Sequence, residues 1–451
     1  MVRVGSRVRG LTALAAALAL ALSAPAARAW PDRLEGHGGP VQGLAVSAER
    51  SELLSASFDY AILHRTLADD GSDILHRLIG HEAAVNDVVF VPGRALAVSA
   101  SDDGTVGVWD LEEGVLLTRF EGTGDKVLDV TVSDDGRFAA AALWDRTARV
   151  YDLETMTERA RMEGHRGNVN TVDLAVGGNV LYSGSYDGSI RQWNAATGAF
   201  LRVVLDHGWG VNVIRVLPDE THLLFGTTDG TAGIVDIASG EVVAEFEPYG
   251  GPVLAAALDA EHGLAAIGSA NGHLRVYRMD DWSLVSDYAT AYGPVWALAF
   301  APDGTAIYRG GLDDFVSRVS LEPGAPLDVA QTDFPRRFQL TGDMDPGERQ
   351  FARKCSVCHT LTPDDANRAG PTLYGVFGRR VGTLPDYPYS DALKSADIVW
   401  TEETIALLFD HGPDVVLPGT KMPVQRLKNP DELAALVRYL KRSTGPATGA
   451  E

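Results

Sequence analysis

Cysteine is nearly absent from this chain of 451 residues, and its two cysteines stand three positions apart, at Cys355 and Cys358. A single pair of this kind cannot supply the disulfide framework that holds small secreted domains together. Long apolar runs are scarce as well. The run from Leu11 to Leu22 covers 12 residues, whereas a membrane-spanning helix needs about 20. The sequence therefore predicts neither a disulfide scaffold nor a membrane span.

Basic residues are also in short supply, with 39 Lys and Arg against 61 Asp and Glu. The imbalance lies almost wholly in residues 30–340, which hold 22 basic and 46 acidic residues, while residues 341–451 hold 13 and 15. An acidic surface of this kind is repelled by nucleic acid and by anionic membrane surfaces. We therefore expect no nucleic-acid partner.

The N-terminus has the pattern of an export signal. Three arginines in the first nine residues precede the apolar run, and Ala27-Arg28-Ala29 then offers a small-x-small cleavage site before Trp30. This order of basic, apolar and small-residue regions is typical of a secretory signal peptide. Residues 1–29 are thus predicted to be removed, and the mature protein is predicted to be periplasmic.

A repeat fills the first two-thirds of the chain. One acidic or amide residue recurs at a first step of 44 residues and then five steps of 42, at Asp59, Asp103, Asp145, Asp187, Asp229, Asn271 and Asp313. Short β-branched stretches such as Val85 to Val91 lie between these markers, which indicates strands. Seven copies of a unit of this length indicate a repeat architecture with one supersecondary unit per repeat.

Individual repeats carry a recurring polar set. The second contains His81, Ser99, Asp103 and Trp109, and the fourth has His165, Ser183, Asp187 and Trp193 at the same spacing. Because of these sets, residues 30–321 resemble WD40 repeats. The resemblance implies a seven-bladed all-β propeller whose buried polar network links each set. It also implies that residues near Arg33 to Glu35 complete the seventh blade. Repeats lacking the tryptophan, such as the first with Arg65, are expected to rely more on apolar packing than on the polar network.

The residue before each turn aspartate lies on one rim of such a propeller. At Phe58, Trp144 and Tyr186 that residue is a large aromatic. Exposed aromatics are common hot spots of protein interfaces, so we predict that these three bind a partner. The alternative is that they pack between blades or around the channel.

The periodicity changes from strand to helix after the repeats. Residues 322–342 contain three prolines and are predicted to be a linker. Residues 343–444 then show helical patterns at 345–354, 403–409 and 430–441, and residues 445–451 form a tail. The predicted fold class is therefore multidomain, an all-β propeller followed by an all-α domain.

The pentapeptide Cys355-Ser-Val-Cys358-His359 opens this second domain, and Met422 follows 63 residues after His359. A Cys-x-x-Cys-His run is the attachment signature of c-type haem. A redox-active dithiol would need a βαβ context, and a zinc site would need two further ligands. Both alternatives fit this stretch of sequence less well than haem.

Residues 343–444 resemble class I cytochrome c, close to the mitochondrial cytochrome c and bacterial cytochrome c2 group. Gly347 and Phe351 stand before the motif, and Pro418-Gly-Thr-Lys-Met-Pro423 surrounds the methionine. The resemblance implies one haem c per chain, attached covalently at Cys355 and Cys358. It further implies that His359 and Met422 ligate the iron, and that the other cofactor-binding residues are Pro371, which accepts from the histidine ring, Arg379, Tyr389 and Trp400 at the propionates, and Thr420 near the methionine. Leu393 and Leu408 stand where the group usually has polar side chains.

Lysines around the haem edge dock redox partners in this family. Lys354 and Lys421 stand beside the cysteine motif and beside the methionine. We expect them to dock an acidic surface, which belongs either to a partner or to the chain's own propeller.

The favoured function is therefore periplasmic transfer of single electrons through a six-coordinate haem, with the propeller as docking platform for a redox partner. That makes the chain an electron carrier more readily than an enzyme. Two alternatives stay open: an oxidoreductase with a second cofactor in a catalytic propeller, resembling nitrite reductase, and a haem-based scaffold or sensor. Fold alone does not decide among them.

Overall fold

The computed structural model describes residues 33–68, 71–121, 124–289, 293–321, 344–363, 370–385, 387, 389–418, 420, 422 and 425–445. The predicted signal peptide, the predicted linker and Lys421 lie outside the described residues, as does the tail beyond residue 445. The domain boundaries therefore stay predictions.

The described N-terminal part forms seven four-stranded antiparallel sheets, each of them one blade of a closed ring. The first two blades contain β2 (Val41–Ser47), β3 (Glu52–Ser57), β4 (Ala61–Thr66), β5 (Ile74–Ile79), β6 (Val85–Phe90), β7 (Leu96–Ser101), β8 (Thr105–Asp110) and β9 (Val115–Glu121). The third and fourth contain β10 (Val127–Val132), β11 (Phe138–Leu143), β12 (Ala148–Asp152), β13 (Thr157–Met162), β14 (Val169–Leu174), β15 (Val180–Ser185), β16 (Ser189–Asn194) and β17 (Phe200–Asp206).

The remaining three blades complete the ring. They contain β18 (Val211–Val216), β19 (His222–Thr227), β20 (Ala232–Asp236), β21 (Val242–Glu245), β22 (Val253–Asp259), β23 (Leu264–Ser269), β24 (His273–Arg278), β25 (Leu284–Ala289), β26 (Val295–Phe300), β27 (Ala306–Gly311), β28 (Val316–Ser320) and β1 (Arg33–Leu34). The core lies between neighbouring blades, where for example Val98 and Val108 of one blade pack with Val130 of the next. This is the seven-bladed propeller that the repeat predicts.

The ring closes by pairing its first strand with its last. Arg33 pairs with Ser317 and Leu34 with Val316 in antiparallel register, so β1 is the outer strand of the seventh blade. The guanidinium of Arg33 also lies 5.0 Å from the centroid of the Phe315 ring. The predicted closure is confirmed, and it leaves no blade with an unfinished edge.

A buried polar network links the strands of the second and fourth blades, as predicted. In the fourth, His165 Nδ1 lies 3.0 Å from the Asp187 carboxylate and Nε2 lies 2.8 Å from Ser183 Oγ. The indole Nε1 of Trp193 donates to the same hydroxyl at 2.8 Å. Every polar atom of the set thus has a partner, which is the condition for a buried network to stabilise a fold.

The first blade differs from the expectation. It keeps the network although Arg65 replaces the tryptophan: His37 lies 3.2 Å from the Asp59 carboxylate and 2.8 Å from Ser55 Oγ. Burial alone would raise the pKa of Asp59, but His37, the Arg77 guanidinium and a backbone N–H outweigh it and lower the pKa to about 2. The polar network is therefore present in a blade that was expected to rely more on apolar packing than on such a network.

The C-terminal part contains five α-helices within its described residues: α1 (Pro346–Lys354), α2 (Asp391–Ser395), α3 (Glu402–His411), α4 (Pro413–Val416) and α5 (Pro430–Ser443). The helical patterns in the sequence correspond to α1, α3 and α5, whereas the short helices α2 and α4 were not expected. None of the described helices is long and apolar enough to cross a membrane.

The pairing of α1 with α5 fixes where the cysteine motif begins. Asp345 caps α1 by accepting hydrogen bonds from the backbone N–H groups of Gly347 and Glu348. A Cβ atom on Gly347 would lie 2.1 Å from the carbonyl oxygen of Ala435 in α5, so only glycine allows this close crossing. Since α1 leads directly into Cys355, the crossing also positions the motif.

Candidate functional site

One apolar cavity collects most of the predicted site residues. Apolar side chains form most of its wall, as is typical of cofactor sites. Its wall includes Cys355, Cys358, His359, Pro371, Arg379, Tyr389, Leu393, Trp400, Leu408, Thr420 and Met422. All nine predicted cofactor-binding residues are therefore in one place.

The cysteine motif continues the end of α1 as a tight turn. The backbone N–H of Cys355 donates to the Phe351 carbonyl at 2.8 Å, and that of His359 donates to the Cys355 carbonyl at 2.9 Å. This turn places both thiols and the imidazole on the cavity wall. Burial, with the neighbouring Cys358, raises the pKa of the Cys355 thiol to about 12.

His359 is held in a single orientation by its neighbours. Its Nδ1 lies 2.7 Å from the Pro371 carbonyl oxygen, so Nδ1–H donates there and Nε2 is the ring nitrogen suited to ligate a metal. A bond of this kind fixes the ring and increases its basicity as a metal ligand. Gly370 leaves room for the ring, because a Cβ atom there would lie 2.4 Å from the imidazole Cε1.

Met422 lines the same cavity as His359. Its backbone N–H donates to Thr420 Oγ1 at 3.2 Å, so Thr420 stabilises the loop that carries the thioether. Gln425 adds a second tie, because its side-chain amide donates to the Lys354 carbonyl at the end of α1, at 2.9 Å. An imidazole and a thioether thus reach one apolar space from two separate segments.

The predicted propionate contacts form the polar part of the wall. The Arg379 guanidinium donates to the carbonyls of Thr372 at 2.7 Å and Tyr374 at 3.1 Å. Burial raises the pKa of Tyr389, and the nearby guanidinium offsets part of that rise. Trp400 is fixed by its backbone N–H, which donates to the Arg379 carbonyl at 2.9 Å. These side chains are pre-positioned donors for an anionic group.

Sequence reasoning missed several wall residues. Tyr387 packs edge-on against Tyr389 with 4.7 Å between ring centroids, and the Tyr-x-Tyr spacing was a signal that could have found it. Phe58 and Tyr60 come from the propeller and also line the cavity. No local motif points to Tyr60, because its place depends on how two distant parts of the chain meet.

The described residues among those predicted to bind a partner line two different hollows. Phe58 and Lys354 lie at the cavity just described. Trp144 and Tyr186 are 41% and 66% exposed and line a separate depression, together with Trp296. Lys421 lies outside the described residues.

The wall chemistry fits a haem. It combines a largely apolar surface, two thiols, one imidazole and one thioether, and His/Met pairs are axial ligands of c-type haem iron. Within the described residues, no group of three or more His, Cys, Asp or Glu side chains could hold a metal ion. The described part of the chain therefore contains no set of side chains that could form the zinc site considered as an alternative.

Comparison with known proteins agrees with both halves. A family model described as "WD domain, G-beta repeat" matches residues 72–110, 114–152 and 156–194. Each match begins at the outer strand of one blade and ends in the third strand of the next, the same one-strand offset that closes the ring. The family model "Cytochrome c" matches residues 344–444.

Individual relatives match the second domain over nearly their whole length. Cytochrome c of Sesamum indicum is 43% identical over 105 residues, which are 23% of this chain and 92% of that protein. Cytochrome c of Nigella damascena is 42% identical over the same shares. Cytochrome c type-1 of Ascaris suum is 40% identical over 102 residues, 22% of this chain and 88% of that protein. The chain therefore belongs to the cytochrome c family through its C-terminal domain, which is fused to a seven-bladed propeller of WD40 repeats.

Proposed function

We propose that the chain is a periplasmic electron carrier. It holds one haem, bound covalently through Cys355 and Cys358 and ligated by His359 and Met422, and its propeller docks a redox partner. The observation that carries this proposal is the cavity itself, which brings the oriented imidazole and the thioether together with both thiols. If His359 and Met422 both held the iron, protein side chains would occupy the ligand positions that a substrate would need.

A bound haem would supply the one-electron chemistry of its iron. The protein residues would bind, orient and shield. The Pro371 carbonyl keeps the proton on Nδ1 of His359, while Leu393 and Leu408 keep one wall apolar. The elements described in this domain are helices and one isolated bridge between Arg380 and Val399. This supports an all-α domain, with the bridge as its single strand-like contact.

The first test is the number and attachment of the haem groups. The exported chain, beginning at Trp30, should carry the mass of one haem that acid and organic solvent do not extract. Replacing both cysteines by alanine should make any remaining haem extractable. Met422→Ala should keep the covalent haem but lose the absorption features of a six-coordinate iron. A second chromophore, a second haem or turnover of nitrite would contradict the carrier assignment and favour the two-cofactor enzyme.

The docking role of the propeller has its own support. Trp144 and Tyr186 are large, exposed aromatic side chains that line a depression in the surface. Truncating an interface hot spot of this kind typically costs more than about 1 kcal/mol of binding energy. The double variant Trp144→Ala/Tyr186→Ala should weaken binding of the redox protein that purifies with the wild-type chain, while the haem spectrum stays unchanged. Equal affinity of the variant would refute this role.

The basic rim is tested by salt. Lys354 lies at the cavity mouth, and an exposed charge acts on encounter rates mainly at low ionic strength. Electron exchange with an acidic redox protein, measured by stopped flow, should slow as salt rises and slow further in Lys354→Glu. A rate independent of both changes would contradict docking through this rim.

A further inference from the structure

The haem-binding cavity has a wall that the cytochrome c domain does not supply. Phe58 and Tyr60 belong to the turn between β3 and β4 in the first blade, and both line the cavity together with Cys358 and Met422. About 300 residues separate the two segments in sequence. The first blade therefore contacts the open side of the site at which the cytochrome domain alone would expose its cofactor.

Tyr60 has an unusual backbone for its residue type. Its φ angle is +71°, in the left-handed region. In four other blades the equivalent residue is a glycine with φ between +83° and +96°, namely Gly104, Gly188, Gly230 and Gly272. A residue with a side chain costs roughly 1–2 kcal/mol in this conformation. Strain of this kind is found where function requires it, and here the strained side chain points to the cavity.

The surroundings of Tyr60 place it close to the cysteine motif. Burial raises the pKa of Tyr60, and together with smaller contributions from the nearby Cys358 and Asp102 side chains it brings this pKa to about 12. Burial also raises the pKa of Tyr387, with Tyr60 as the next cause. Two half-buried tyrosines, one from each part of the chain, therefore line the same cavity.

We propose that Phe58 and Tyr60 are part of the haem site, so that the first blade of the propeller covers the haem edge within the same chain. This inference rests on the proposed function, because it requires haem at this cavity. It assigns the propeller a second role beside partner docking: it keeps water and small reductants away from the cofactor. Shielding a haem from water disfavours the more highly charged ferric form and raises its reduction potential.

Tyr60→Gly is the decisive variant, because it restores the glycine found at this turn in four blades. It removes the left-handed strain while it opens the cavity. The propeller should unfold at an equal or higher denaturant concentration, whereas ascorbate should reduce the haem several-fold faster and the reduction potential should fall. Exchange of the backbone amides of Tyr387, Tyr389 and Ser390 should also accelerate, which is a readout independent of electron transfer.

Arg146→Gly is the matched control. Arg146 occupies the same turn of the third blade with φ +72°, is exposed and does not line the haem cavity. Arg146→Gly should change the stability of the propeller in the same direction as Tyr60→Gly. The rate of haem reduction by ascorbate, the reduction potential and the amide exchange should stay as in the wild type.

Two results would overturn the proposal. One is a haem-loaded Tyr60→Gly variant with the reduction rate and amide exchange of the wild type. The other is an equal change in Arg146→Gly, which would reflect propeller strain alone. A wild-type chain that carries no haem would instead refute the proposed function, and the two failures are therefore distinguishable.

Discussion

Gly370→Ala tests whether the orientation of His359 depends on the space beside its ring. The added Cβ atom would lie 2.4 Å from the imidazole Cε1, whereas ordinary carbon contacts begin at 3.4 Å. The ring must therefore retreat by about 1 Å, the difference between these two distances. From its present 2.7 Å, the contact between Nδ1 and the Pro371 carbonyl would then exceed about 3.5 Å, where a hydrogen bond is lost.

The expected loss of stability follows from two contributions. Overpacking a filled site costs about 1–3 kcal/mol, and the lost hydrogen bond contributes about 1 kcal/mol. Unfolding of the haem domain in guanidinium chloride, followed at the haem absorption band, should show a free energy of unfolding lower by about 2–4 kcal/mol. The haem spectrum should change as well, because the axial ligand has moved.

Gly375→Ala is the control for this experiment. A Cβ atom there meets nothing within 4 Å, although φ is +62°. It should cost about 1–2 kcal/mol of backbone strain and leave the haem spectrum unaltered. The link between Gly370 and the orientation of His359 would be refuted if Gly370→Ala kept the unfolding midpoint and haem spectrum of the wild type. It would also be refuted if Gly375→Ala changed the spectrum equally.

Three further predictions concern stability. Ser183→Ala leaves a buried histidine nitrogen and an indole N–H without their shared hydroxyl partner, at about 1–3 kcal/mol each. In Ser55→Ala, His37 Nε2 loses the hydroxyl but keeps its contact of 3.1 Å with the Ser55 carbonyl oxygen. Urea unfolding of the propeller should therefore show the larger loss for Ser183→Ala, and equal losses would contradict the network. The pKa of Asp59 is lowered to about 2, so its stabilisation of about 2 kcal/mol is present above pH 4 and lost as pH falls towards 2. Asp59→Asn should therefore lower the thermal unfolding midpoint at pH 7 and make this midpoint fall less steeply in acid than that of the wild type. Parallel plots of midpoint against pH for the two proteins would count against this assignment. Gly347→Ala would bring a Cβ atom within 2.1 Å of the Ala435 carbonyl oxygen. Although alanine gains about 1 kcal/mol of helix propensity over glycine, the haem domain should unfold at a lower denaturant concentration. An unchanged unfolding midpoint would show that α1 and α5 can move apart without loss of stability.

The blade count and the ring closure could be predicted because each repeat carries its own marker. Asp103 and Asp187 stand in corresponding turns, and the polar set around each is fixed by spacing within a single repeat. The cysteine motif was equally local, since Cys355 to His359 form one turn at the end of a helix. Contacts of this kind join residues at fixed spacing within one repeat or one turn, so the sequence alone predicts them.

Other features depend on contacts between distant segments and could not be predicted in this way. The place of Tyr60 at the haem cavity depends on how the first blade meets a domain some 300 residues later. The network of the first blade was missed for a different reason. Arg65 stands where the sets of the second and fourth blades have tryptophan, but His37 and Ser55 form their hydrogen bond without it. A missing member of a polar set therefore does not mean that the rest of the set is dispersed.

The two-residue strand β1 marks the place where the ring opens most easily. Its pairing with Val316 and Ser317 joins segments more than 280 residues apart, and closing a loop of that length has an entropic cost of about 5 kcal/mol. The join includes two residue pairs, the buried packing of Leu34 with Val316 and a cation–π contact from Arg33 to Phe315, whereas the other sheets pair over longer registers. The seventh blade should therefore form last during folding, and its outer amides should be the first of the propeller to exchange with solvent by local opening.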